Sequence, residues 1–178
     1  AGIMNGLGVA TTQFYRGEQI LWGFDNEARG LVVDGMRARG VDLRLSTNAL
    51  SLTAEGNGIR VAATDGTEAV YDQVMFATGR RPNTDSLNID SVGVALGSAG
   101  EVIVDDYSQT AVPSIYAVGD VTNRANLTPV AIHEGMAFVR TVFQGVPTKP
   151  DHNLIPTAIL TQPEFGTIGL SEEAAQAA

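Results

Sequence analysis

Residues 110–129 read TAVPSIYAVGDVTNRANLTP. Ile115, Tyr116, Ala117 and Val118 form an apolar run that stops at Gly119-Asp120. Such a run predicts a buried strand of a parallel sheet, its charged residue appearing where the strand leaves the core. Ligands of open α/β sheets bind outside the carboxyl ends of the strands, so Asp120 is placed to meet one. Its carboxylate accepts hydrogen bonds from hydroxyls, and Gly119 lets the backbone come close. A periodic segment, Val130 to Phe143, follows, with Thr128 expected at the N-cap and Pro129 at the first helical position. The free N–H groups and positive dipole end of that helix would face the same crevice. An acceptor for hydroxyls beside donors for a developing negative charge suits a polyol-bearing, electron-accepting cofactor.

An apolar run ending in Gly-Asp is, taken alone, most often a turn after a strand. The longer pattern is more specific: Thr110, four residues, then IYAVGD, and LTPVA from Leu127. Upstream, Gln73 to Ala77 (QVMFA) predicts a second buried strand, ending in Thr78-Gly79-Arg80-Arg81-Pro82-Asn83-Thr84. Alone, that basic turn is usually structural. The Thr110–IYAVGD–LTPVA pattern resembles the second flavin-binding signature of the pyridine nucleotide–disulfide oxidoreductases, and the Thr78–Thr84 block, at this distance before it, resembles that family's A-T/I-G-R-x-P-N block. Within that family the Asn126-Leu127-Thr128-Pro129 wording looks most like the glutathione reductases.

The resemblance implies that Gly119 and Asp120 hold the ribityl chain of FAD. The backbone around Asn126, Leu127 and Thr128 would then face the pyrimidine edge of the flavin. It also implies that the Gly79-Arg80 block is where a dinucleotide-binding domain hands the chain back to the FAD domain; both residues are assigned to NADP, with the domain interface as the alternative for Arg80.

Composition bounds the remaining possibilities. The chain has 178 residues, 44% of them hydrophobic, enough for a core, and 20 glycines fit an α/β protein with tight turns. Eleven basic against 20 acidic residues give 11 − 20 = −9, and no Lys/Arg cluster stands out, which argues against a nucleic-acid partner. No apolar run approaches the roughly 20 residues of a membrane span, so no membrane partner is expected. No cysteine is present, which excludes disulfides and thiolate chemistry from these residues. The chain does not begin with Met, and Ala1 to Gly8 reads as the later part of a helix reaching its C-cap glycine. The expectation is a fragment of a longer protein.

Val9 to Tyr15 (VATTQFY) then predicts a strand, rich in β-branched and aromatic residues. In dinucleotide folds an acidic residue at the end of this strand binds the 2′-hydroxyl of NAD, while Arg accommodates the 2′-phosphate of NADP. Here the strand ends in Phe14-Tyr15-Arg16. Arg16 can fork onto a phosphate, or be simply a solvated arginine; in this context NADP is preferred over NAD. Glutathione reductases usually carry a second arginine before a Gly-Phe-Asp-like triplet, where this chain has Trp22. Trp22 either stacks on the adenine or is a surface or packing residue.

Asn26 to Arg39 predicts a helix capped by Gly40, and Val41 to Leu45 a strand. Leu50–Thr53, Ile59–Ala63 and Ala69–Tyr71 predict hairpin strands, turning at Glu55-Gly56-Asn57-Gly58 and at Asp65-Gly66. Leu87–Leu96 and Val102–Val104 predict small strands. Past a Gly145–Pro150 linker, two strands flank Gln162-Pro163 and Ser171 caps a last helix. His133 inside a helix and His152 in the linker have no triad spacing and are read as structural. No metal-ligand spacing occurs.

The expected fold class is α/β, with parts of two FAD/NAD(P)-binding Rossmann-like domains and the start of an α+β dimerisation domain. The expected boundaries are 1–79 for the end of the NAD(P) domain, 80–150 for the returning FAD segment and 151–178 for the start of the interface domain. By resemblance the parent enzyme is a cytoplasmic homodimer passing hydride from NADPH to FAD, then electrons through a redox disulfide to a small disulfide such as glutathione disulfide. The resemblance implies that no catalytic residue of that reaction lies in these 178 residues, which hold no cysteine, and residues 1–178 alone are expected to show no turnover. Rival readings are dihydrolipoamide dehydrogenase, mercuric reductase, a flavin NAD(P)H oxidoreductase lacking a redox disulfide, and a degenerate binding domain.

Overall fold

A computed structural model describes residues 1–178, which divide into two compact units, 1–76 with 156–178 and 77–155. In the first, helix α1 (Gly2–Gly6) ends where Gly8 takes a φ of +83°. There the Gly8 and Val9 N–H groups donate to the Asn5 and Met4 carbonyls, so the helix-end reading of Ala1–Gly8 holds. Strand β1 (Thr12–Phe14), helix α2 (Asn26–Ala38) and strand β2 (Asp42–Arg44) follow, and β1 pairs with β2 in parallel, Gln13 opposite Leu43. That is one βαβ unit. Its core is Ile20, Val32, Val33, Met36, Val41 and Leu43. Asp25 caps α2 by accepting from the Ala28 N–H, and Gly40 at φ +91° follows its C-terminus.

The expected hairpins are present. Strands β3 (Ala49–Glu55), β4 (Gly58–Ala63) and β5 (Glu68–Tyr71) form an antiparallel sheet in the order β3-β4-β5. The two residues Gly56 and Asn57 make the first turn, with Gly56 at φ +58°, as such tight hairpins require.

In the second unit the one long element is helix α3 (Thr128–Phe143), preceded by a 3₁₀ turn over Gly119–Thr122. The helix buries Val130, Glu134 and Ala137, spaced four and then three apart, along one stripe. Strands β6 (Thr157–Ile159) and β7 (Phe165–Thr167) and helix α4 (Glu172–Ala177) return to the first unit. There Phe165 meets Phe24 edge-on, with ring centroids 5.9 Å apart. Ser171 accepts from the Ala174 N–H and caps α4 as expected.

Four predicted strands take other forms. Gln73–Ala77 belongs to no sheet, and Met75 and Phe76 are 74% and 67% exposed. Ile115–Val118 is extended and half-buried, with one antiparallel bridge from Tyr116 to Gln109. Within Leu87–Leu96, Ile89–Val92 is a 3₁₀ turn, and Val102–Val104 is no strand either: only Leu96 and Val102 bridge, to each other. The reason is common to all: an apolar run states that a segment wants burial, but a strand exists only where another backbone satisfies its N–H and C=O groups. The N-cap of α3 also moves by one: Leu127 occupies it, and Thr128 is the first helical residue.

Candidate functional site

Gly119 sits at φ +73°, where a side chain is strained, and a Cβ on it would lie 3.0 Å from the Ala131 Cβ. Only glycine lets the chain turn this tightly against α3. Asp120 follows, exposed, and no hydrogen bond or ion pair within the chain engages its carboxylate. Helix α3 starts a few residues later without a side-chain cap, so its first N–H groups are left to solvent or to a ligand. Arg80, Asn83, Asp120, Val121 and Asn126 line one cavity of about 310 Å³. Asn126 also donates to the Asn123 side chain at 3.2 Å. Leu127 and Thr128 form the helix start next in sequence.

The structure therefore brings Asp120 and Asn126 together, as the sequence predicts for a cofactor site. It also brings Arg80 to that wall, whereas the sequence reading grouped Arg80 with Arg16 for the nicotinamide nucleotide. Arg16 belongs to the first unit, exposed, with no partner inside the chain. Gly79 is exposed, and a Cβ there would meet no atom within 4 Å, so its φ of +115° alone favours glycine.

A second cavity, about 610 Å³, opens in the first unit between the end of β1 and α2. Tyr15, Gly17, Gln19, Trp22, Asn26 and Arg29 lie on its wall, and Trp22 is 84% exposed. Arg29 spends its guanidinium internally, on the Ile20 carbonyl at 2.6 Å, the Gln19 carbonyl at 2.8 Å and the Asn26 side chain at 2.8 Å. It shapes the loop, which leaves Arg16 as the free cation beside it in sequence.

Sequence reasoning missed a buried cluster behind the Gly119-Asp120 tip. Glu134 is 1% exposed and its Oε2 accepts the Gly119 N–H at 2.5 Å. Its Oε1 accepts from Arg124 Nη2 at 3.0 Å and lies 2.7 Å from His152 Nε2. His152, read as a linker residue, thus packs on a buried carboxylate, while His133 is exposed on α3. The available signal was the helical stripe itself: Glu134 interrupts an apolar face, and a buried charge requires partners.

The family model described as pyridine nucleotide-disulphide oxidoreductase matches residues 1–135. Over 176 residues the chain is 47% identical to glutathione reductase of Burkholderia cepacia, covering 99% of this chain and 39% of that protein. It is 47% identical to the chloroplastic/mitochondrial glutathione reductase of Pisum sativum, covering 98% of this chain and 32% of that one. Among solved structures, the Cu(II) complex of the flavoprotein disulfide reductase RclA from Escherichia coli superposes with a TM-score of 0.94 at 22% identity. That match spans 99% of this chain and 41% of the other, and at this identity it speaks for the fold. The chain thus spans about 39% of the length of the first of these relatives. With a family match over three quarters of its length, the chain belongs to the pyridine nucleotide–disulphide oxidoreductases.

Proposed function

We propose that residues 77–155 supply one wall of an FAD site and residues 1–76 part of an NADP site, in an NADPH-dependent disulfide reductase acting on glutathione disulfide. The observation that carries this is the Gly119-Asp120 tip beside the uncapped start of α3. The donor set fits the cofactor: an unengaged carboxylate and an amide suit the ribityl hydroxyls, and helix N–H groups suit the electron-accepting pyrimidine edge. Arg80 adds a positive charge on the same wall, suited to an anionic cofactor, and in this reading serves FAD. FAD supplies the electron relay; these residues bind and orient it. Arg16, free at the end of β1, is the candidate for the NADP 2′-phosphate.

The substrate reading rests on the two glutathione reductases among the relatives. The reading includes a dimer formed through the domain that begins near residue 151 and a cytoplasmic location. No helix is long and apolar enough to cross a membrane. The test is spectroscopic and kinetic. The full-length protein should purify yellow, or take up FAD when offered it, and should oxidise NADPH faster than NADH with glutathione disulfide. A protein that stays colourless with FAD removes the flavin site and the reductase reading with it.

A further inference from the structure

We propose that Glu134 is a positioning residue for Asp120, acting through the backbone of Gly119; the proposal rests on the flavin reading above. Four hydrogen bonds close a ring behind the tip. The Gly119 N–H donates to Glu134 Oε2 at 2.5 Å, and the Thr122 hydroxyl donates to the Gly119 carbonyl at 2.8 Å. Arg124 Nε donates to the same hydroxyl oxygen at 3.3 Å, and Arg124 Nη2 to Glu134 Oε1 at 3.0 Å.

Both polar groups of Gly119 are therefore held by side chains, its N–H by Glu134 from α3 and its carbonyl by Thr122 at the end of the same turn. Gly119 needs that support, because its φ of +73° is one of several conformations an unrestrained glycine visits freely. Asp120, next in the chain, has no side-chain hydrogen bond or ion pair of its own to fix it, so its aim is inherited from Gly119. Glu134 and Thr122 are 1% and 5% exposed, so water is kept from the two bonds to Gly119, while Arg124 closes the ring from its partly exposed side. Two further contacts steady it: Arg124 Nη2 donates to the Ser108 hydroxyl at 3.0 Å, and His152 lies against Glu134 Oε1. A purely structural carboxylate would have needed only the Arg124 and His152 pairs. The contact to Gly119 ties the ring to the site.

The experiment is a double-mutant cycle in the full-length protein, reading the FAD dissociation constant by reconstitution of apoprotein and the circular dichroism of the bound flavin band. Glu134→Gln must turn an NH2 group toward either the Gly119 N–H or Arg124. It should weaken FAD binding about tenfold, the size of losing one charge-assisted hydrogen bond. Thr122→Val, close in shape, should weaken it about threefold, the lower end for a neutral bond. Both should alter the flavin band, and both effects should vanish when Asp120→Ala is already present. The Thr122 variant gives the answer if the Glu134 variant does not fold. Losses of equal size with and without Asp120 overturn the positioning role, as does unchanged FAD binding in variants that fold. If Asp120→Ala alone binds FAD as the parent does, the flavin reading fails instead, and the two failures are told apart.

Discussion

Asp25 and Glu173 cap each other's helices. Asp25 Oδ1 accepts the Ala28 N–H of its own helix at 3.1 Å, while its Oδ2 accepts the Glu172 N–H of α4, also at 3.1 Å. In return Glu173 Oε1 accepts the Asn26 N–H at 3.1 Å. Two helix N-termini 147 residues apart thereby exchange carboxylates, each satisfying orphan donors of the other. Mutual repulsion opposes this, and the N–H bonds outweigh it: those from Ala28 and Glu172 hold Asp25 below its usual pKa. Its own N–H and that of Asn26 do the same for Glu173, against the nearby Asp25 charge.

The first prediction follows from those directions. A carboxylate whose pKa is lowered in the folded state contributes stability above its unfolded value and loses it as pH falls through the folded one. Thermal midpoints should fall on acidification below the ordinary carboxylate range, and by less in Asp25→Asn and Glu173→Gln. At neutral pH each variant should melt a few degrees lower than the parent. A parallel decline of all three proteins with acid would remove the caps from the account.

A helix-interior glycine usually gains up to about 1 kcal/mol on replacement by alanine. Gly35 in α2 should do the opposite, because a Cβ there would overlap the Pro163 ring. Overpacking of this kind costs about 1–3 kcal/mol. Gly30, whose Cβ would meet only the Gln19 side chain at 3.8 Å, is the matched control. Urea midpoints should fall for Gly35→Ala and hold or rise for Gly30→Ala.

Met36 is 4% exposed in the core beneath α2, whereas Leu31 on the same helix is 63% exposed. Met36→Ala should cost about 2–5 kcal/mol, and Leu31→Ala within about 0.5 kcal/mol of nothing. Chemical denaturation of the two variants checks this directly; equal losses would mean α2 is turned the other way.

Arg16 is exposed and makes no hydrogen bond or ion pair inside the chain, so Arg16→Ala should leave the melting temperature unchanged. In the full-length protein it should raise KM for NADPH about tenfold, the worth of one charge-assisted bond to phosphate, and leave KM for NADH nearly the same. Equal changes with both nucleotides would take Arg16 out of the nucleotide site.

Local information carried a large part of this molecule. The Gly8 and Gly40 helix ends, the Gly56-Asn57 hairpin, the Ser171 cap and the Gly119-Asp120 tip were all legible, because each depends on a few adjacent residues and their allowed backbone angles. The apolar runs at 73–77 and 115–118 read as buried strands, yet neither joins a sheet, since pairing is not written in the run itself.

Sequence alone determined the family signature, the turn chemistry and the residue offered at the end of the tip, Asp120. Tertiary structure alone decided what stands behind that residue: Glu134, Arg124 and His152 come from separate segments and meet only when α3 packs against the tip. It likewise decided that Asp25 and Glu173 would share their helix ends. The physical reason is range. Backbone angles and caps are set within a turn or two, whereas a buried charge takes its partners from whatever the fold places within about 3 Å of it.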